Sequence, residues 1–264
     1  MLSGIHLLSA PLVASTISVG EHPQVQLGPL TIDIDTVWAT VIAGLIVALL
    51  GLLLRRKTTS GVPGKFQLCW EMAVEAVQKQ VDESIGPRGA KVVPLALTLF
   101  VFIFICNLFE VLSIGARFEV LPAPTSDINL PLAMALYVIV MVHRAAVKNR
   151  GVGGYFKHYA TRPFEAKALY PVNVFMNVID ELVKPLTLTL RLFGNLLAGG
   201  LMLSLLAALC IWALGPVPLG DILAVPLTLV WKLFDMAIGA IQAFIFALLT
   251  ILYFDTAMAP DEAH

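Results

Sequence analysis

The residues of this sequence best placed to do chemistry are ionisable side chains set inside apolar runs. Arg191 lies about 20 residues from either end of one such run, Pro171 to Leu214. A charge near the centre of a bilayer costs several kcal/mol, so it tends to face protein or water and to serve a function. At a helical step of about 100° per residue, Asp180 and Lys184 fall within about 20° of Arg191, and Thr187 and Asn195 within about 40°. These five residues form one polar stripe, with Glu181 beside it at about 80°. The intervening Leu186, Leu188, Leu190, Leu192, Phe193, Leu196 and Leu197 suit lipid. The next apolar run repeats the pattern: Lys232, Asp235, Gly239 and Gln242 share a face, and Gly239 leaves room for a neighbouring helix. Two polar stripes on consecutive long helices imply a shared hydrated path along which protons could move.

Each residue also has a plainer reading. Lys184 and Lys232 could snorkel to headgroups. Asp180 and Glu181 could form a local cap or salt bridge, Asn195 and Gln242 could make structural interhelical hydrogen bonds, and Asp235 could pair with Lys232. Snorkelling is hardest for Arg191, which is far from both ends of its run. No histidine lies in these two runs, so a proton relay built from them alone would use carboxylates, amides and water.

The elements that must hold these residues are helices in a membrane. Hydrophobic residues make up 58% of the chain and charged residues 13%, about half the charge of a soluble domain. Mean hydropathy is +0.87, and the net charge of −1 gives no basic field for nucleic acid. Cys69, Cys106 and Cys210 have neither disulfide nor metal spacing and read as packing residues. No cofactor is implied. The N-terminus lacks the basic segment of a secretory signal.

A membrane helix needs about 20 apolar residues. The expected class is therefore all-α, a polytopic membrane protein of five spans and one interfacial helix, forming a single membrane domain. Residues 1–36 form an extracytoplasmic segment, and spans follow at 37–54, 92–114 and 130–147. Two long helices, 171–214 and 221–258, complete the set. At 1.5 Å per residue the long helices reach about 66 and 57 Å, roughly twice the hydrocarbon core, so they must tilt, bend or project. Pro185 and Pro226 are the expected bend points, and Gly215-Pro216-Val217-Pro218 is the expected turn between the two helices. Over 65–85, Phe66, Trp70, Val74, Val77, Val81 and Ile85 recur at helical spacing opposite Gln67, Glu71, Glu75, Gln78, Lys79 and Asp82. That pattern is an amphipathic helix at the membrane surface.

Of the 17 Lys and Arg residues, seven lie between Arg55 and Lys91 and six between Arg144 and Lys167. The positive-inside rule puts both loops in the cytoplasm, leaving the N-terminus outside and the C-terminus inside the plasma membrane of a bacterium.

The segment Lys184-Pro185-Leu186-Thr187-Leu188-Thr189-Leu190-Arg191-Leu192-Phe193-Gly194-Asn195 resembles the signature of the a-subunit family of bacterial F-type ATP synthases. Gln242-Ala243-Phe244-Ile245-Phe246, Pro124-Thr125-Ser126-Asp127-Ile128-Asn129 and Asn107-Leu108-Phe109-Glu110 resemble further family segments. The likeness covers most of the chain from about residue 90 onward. It implies that Arg191 is the essential stator charge of a proton-conducting subunit that binds no nucleotide. It also implies a rotating ring of c subunits, each with a buried carboxylate, and a peripheral stalk of b-type subunits as partners. Two positions depart from the family pattern: Gly200 stands where many members carry glutamate, and Asp235 where histidine is frequent.

On this resemblance Arg191 separates two half-channels. From topology, Asp235, which lies outward of Gln242, is expected in the outer one with Asn107 and Glu110, and Asp180 and Glu181 in the inner one; Gln242, Asn195 and Lys184 complete the expected proton path. Two other readings compete. A secondary transporter would bring inverted repeats and short broken helices, and the sequence has neither. A purely structural subunit would need no arginine near the bilayer centre. With no P-loop, HExxH or nucleophile elbow, ATP chemistry would belong to other subunits.

Overall fold

The computed structural model describes residues 24–27, 30–58, 64–112, 123–161, 169–214 and 218–259. Two short strands, β1 (Gln24–Leu27) and β2 (Leu30–Asp33), pair antiparallel in a hairpin, with Gln24 opposite Asp33 and Leu27 opposite Leu30. Sequence reading did not anticipate this hairpin. Everything else described is helical: α1 (Ile34–Lys57), α2 (Lys65–Ser84), α3 (Val93–Leu112), α4 (Asn129–Thr161), α5 (Tyr170–Leu214) and α6 (Pro218–Met258). Short 3-10 turns at Gly86–Lys91 and Pro124–Ser126 precede α3 and α4. The expected turn at 215–217 lies outside the described residues.

Among the described residues four helices, α1, α4, α5 and α6, are long and apolar enough to cross a membrane. The 20 residues of α3 reach about 30 Å and make it a fifth, shorter apolar helix. The chain is thus an all-helical polytopic membrane protein with a small hairpin at residues 24–33.

Three elements differ in detail from the sequence expectation. Helix α4 does not stop near residue 147; it runs to Thr161 and breaks its geometry at Gly151, whose φ of 73° is open to glycine without a Cβ clash. Polar residues of 144–161 that read as a loop are therefore helical, because the turns on either side of Gly151 pack on α5 and α6. Helix α5 continues for 45 residues across Pro185, and α6 for 41 across Pro226. The missing donor of Pro185 leaves the helix uninterrupted, and the Pro185 carbonyl accepts a hydrogen bond from Thr189 Oγ1 at 2.7 Å. Helix α2 matches the amphipathic reading, with Val81 buried and Phe66, Leu68 and Met72 exposed.

The main core lies where α3, α4, α5 and α6 meet. It joins Ile103, Val138, Leu188, Leu192, Phe246 and Ile251. Leu188, Leu192 and Leu196 recur every fourth residue and turn one face of α5 inward, while Leu186, Leu190, Leu197 and Leu201 stay exposed on the other. The buried face fixes the rotation of α5, and so fixes which neighbours its polar residues meet. Helix α1 packs on α3 through a second cluster of Ala39, Ala43, Ile105, Cys106 and Phe109.

Candidate functional site

The centre of the site is a contact between α5 and α6. Gln242 Nε2 donates a 2.6 Å hydrogen bond to the backbone carbonyl of Arg191. The two stripes inferred from sequence do face one another, although the amide meets the arginine's backbone rather than its guanidinium. The Arg191 side chain is exposed, and no described residue forms an ion pair with it. It shares the open face of α5 with Leu186, Leu190 and Leu197.

On one side of Arg191 lies Asp235. Its side chain is only 7% exposed, against α5 at Gly199: a Cβ there would stand 2.7 Å from Asp235 Oδ2 and 2.9 Å from Oδ1. Glycine is needed here for close approach, and a larger residue would displace the carboxylate. The sequence reading singled out Gly200, whose Cβ would meet nothing within 4 Å. One turn beyond Asp235, the Gly239 carbonyl accepts from Asn107 Nδ2 of α3 at 3.0 Å. Asn107 Oδ1 in turn accepts from Thr125 Oγ1 at 3.0 Å. Asn107, Thr125 and Gly239 are buried, so this chain satisfies polar groups that would otherwise cost about 1–3 kcal/mol each. Thr125 was quoted from sequence only as part of a motif; its fold position explains the motif. The side chain of Glu110 lies outside the described residues. Asn195 is half-buried one turn beyond Arg191, and Lys232 is half-buried one turn before Asp235.

On the other side of Arg191, toward the start of α5, a second cluster forms around Glu181. Its Oε1 accepts from Tyr159 Oη at 2.7 Å and from Lys184 Nζ at 2.7 Å. Its Oε2 lies 3.5 Å from His143 Nε2. Lys184 Nζ also sits over the Tyr253 ring of α6, 5.7 Å from its centroid. Asp180 is exposed and does not join the cluster among the described contacts. His143 and Tyr159 were missed from sequence because they belong to α4, which carries no intramembrane charge pattern of its own. Asn173 and Asn177 of α5 donate to the carbonyls of Ala160 and Tyr159 at 2.9 and 2.8 Å. They hold the end of α4 where Tyr159 can reach Glu181.

Along α5, Glu181 and Gly199 stand about 15 Å and 12 Å from Arg191, on opposite sides. No group of three or more His, Cys, Asp or Glu side chains among the described residues could hold a metal ion.

Long apolar helices carrying two polar clusters, with an arginine between them, mark a polytopic membrane protein that sets ionisable groups along its spans. The profile of the ATP synthase A chain family matches residues 37–255. The chain is 47% identical over 249 residues to ATP synthase subunit a of Acidothermus cellulolyticus, covering 94% of this chain and 85% of the relative. Identity to the Mycobacterium tuberculosis subunit a is 41% over 272 residues, covering 97% and 100%. For Mycobacterium leprae it is 39% over 264 residues, covering 96% and 98%. The chain therefore belongs to the ATP synthase A chain family, whose members are proton-conducting stator subunits of the membrane sector and work within a complex.

Proposed function

We propose that Arg191 separates two offset half-channels that deliver protons to, and collect them from, the carboxylates of a rotating c-subunit ring. The carrying observation is the position of Arg191: its backbone is held by Gln242, its guanidinium is exposed, and polar clusters flank it on both sides along α5. A guanidinium stays charged at any working pH. It favours the ionised form of a carboxylate that comes close to it. A ring carboxylate would therefore release its proton before reaching Arg191 and regain one after passing it. The same fixed charge opposes direct flow between the half-channels, so protons cross only as the ring turns. The driving term is about 2.3 kcal/mol per charge per 100 mV.

The outer half-channel would run by Asn107, Thr125 and Asp235 toward Gln242 and Asn195, with Glu110 at its mouth. The inner one would use Glu181, Lys184 and the exposed Asp180. The asymmetry of basic residues supports a cytoplasmic location for the 55–91 and 144–167 segments and for the C-terminus. Arg150 of α4 reaches the Thr256 and Ala259 carbonyls at 3.2 and 3.1 Å, which puts the second basic segment beside the end of α6 and agrees with that orientation. Five spans, with α3 among them, satisfy it. The exposed apolar face of α5 around Arg191 suits the ring, and b-type stalk subunits and lipid would cover other faces. The subunit would bind no nucleotide and catalyse no reaction alone.

The decisive test is ATP-driven acidification of inverted membrane vesicles. Arg191→Ala should abolish pumping while the complex stays assembled. Pumping at the wild-type rate with full coupling would overturn the reading.

A further inference from the structure

Glu181 Oε1 is fully used, accepting from Tyr159 and Lys184 at 2.7 Å each, whereas the buried Oε2 accepts no hydrogen bond among the described residues. The group facing Oε2 is His143 Nε2, 3.5 Å away. With the ring neutral and its proton on Nδ1, two lone pairs face each other across that gap. One proton on this line turns the pair into a charge-assisted hydrogen bond, the stronger kind. The His143 side chain is 33% exposed, so it reaches the surface of the chain.

We propose that His143 is a proton-carrying residue of the half-channel at the start of α5, with Glu181 as the anion that receives its charge. This rests on the half-channel reading above. A proton from water binds Nε2, and the imidazolium is held by Oε2. A hydronium ion gives up one O–H bond as Nε2–H forms and leaves as water; release of the proton to another water, onward or back, breaks Nε2–H and restores the neutral ring. Lys184 and Tyr159 both donate to Oε1 and leave Oε2 facing the imidazole alone. The remaining groups around the pair fit this role. Tyr155 of α4 lies edge-on to His143 at 6.0 Å and beside Tyr159 at 4.8 Å. Tyr253 of α6 lies under Lys184 and brings no charge. Asp180 and Arg144, the chain neighbours of Glu181 and His143, are exposed and turn away from the pair's contacts. Imidazole is the side chain whose charge changes between about pH 5 and 8, the range in which a cell works.

The same four residues could instead be a static staple between α4 and α5, and a pH profile separates the two. In inverted vesicles holding the whole complex, the external medium would bathe this cluster. ATP-driven pumping is measured with external pH varied between about 5 and 8, for wild type, His143→Gln and Arg191→Ala, with assembly checked in each. Glutamine keeps a donor for Oε2 and removes the titration. Nucleotide chemistry is common to wild type and His143→Gln, so their rate ratio isolates His143. The ratio should change about tenfold across the range; a flat ratio overturns the proposal. If His143→Gln fails to assemble, Tyr159→Phe carries the test. Removing one donor from Glu181 should shift the wild-type inflection, and an unshifted profile overturns the proposal. Should Arg191→Ala still pump, the half-channel reading itself fails. Should only the His143 ratio stay flat, that reading stands and this one falls.

Discussion

At the residue scale the contact between Gly199 and Asp235 makes the sharpest demand. A methyl at Gly199 would meet both carboxylate oxygens of Asp235 inside van der Waals distance. Those atoms end a short side chain, so the carboxylate would swing away at a cost of about 1–3 kcal/mol. Gly199→Ala should slow ATP synthesis driven by an imposed proton gradient without preventing assembly. Asp235→Asn keeps the shape and removes the exchangeable charge, so it should slow synthesis as well. Equal rates in wild type and Asp235→Asn would remove this residue from the path. Gln242→Leu breaks the bond to the Arg191 carbonyl, a loss of about 1 kcal/mol that should lower the thermal midpoint of the detergent-extracted subunit by about 2 °C.

At the scale of elements, α3 and α6 are joined by more than apolar packing. The Thr125–Asn107–Gly239 chain ties the loop before α4 to the middle of α6, one turn from Asp235. Asn107→Leu strands the buried Thr125 hydroxyl, at a cost of about 1–3 kcal/mol, removes the second hydrogen bond of the Gly239 carbonyl, and should weaken α3–α6 packing. Amide exchange over the middle of α6 should be faster in that variant; unchanged exchange would show that apolar packing alone sets the register. At the opposite end of α6, Asn149 donates to the Met258 carbonyl and Arg150 to those of Thr256 and Ala259. Cationic and amide donors suit the unsatisfied carbonyls at a helix C-terminus. Arg150→Ala should fray that end first, visible as faster amide exchange over the last turn of α6.

At the scale of the whole molecule, orientation is the open quantity that a thiol can read. Cys69 is exposed on α2, and Cys106 is buried between α1 and α3. With Cys106 and Cys210 replaced by alanine, a membrane-impermeant maleimide should label Cys69 in inverted vesicles and not in intact cells. Labelling from the cell exterior would reverse the topology drawn from the basic loops, and with it the assignment of inner and outer half-channels.

Composition and charge spacing alone determined the class of this protein, because a bilayer leaves helices almost no alternative and makes each intramembrane charge conspicuous. Arg191, Asp235, Gln242 and Glu181 stood out for that reason, and the periodicity of α5 and α6 already put the polar residues on stripes; Asn107 stood out only through the family segment that it resembles. The tertiary structure decided which partners the stripes meet. It set Gln242 on the Arg191 backbone, chose Gly199 rather than Gly200 to receive Asp235, and left Asp180 outside the cluster that Glu181 joins. It also brought in His143, Tyr159 and Thr125, whose own helix and loop carry no anomalous charge. These contacts depend on how far each helix is rotated and slid against its neighbours. That is fixed by buried side chains such as Leu188 and Leu192, whose partners lie far away in sequence, and not by the spacing of residues along one helix.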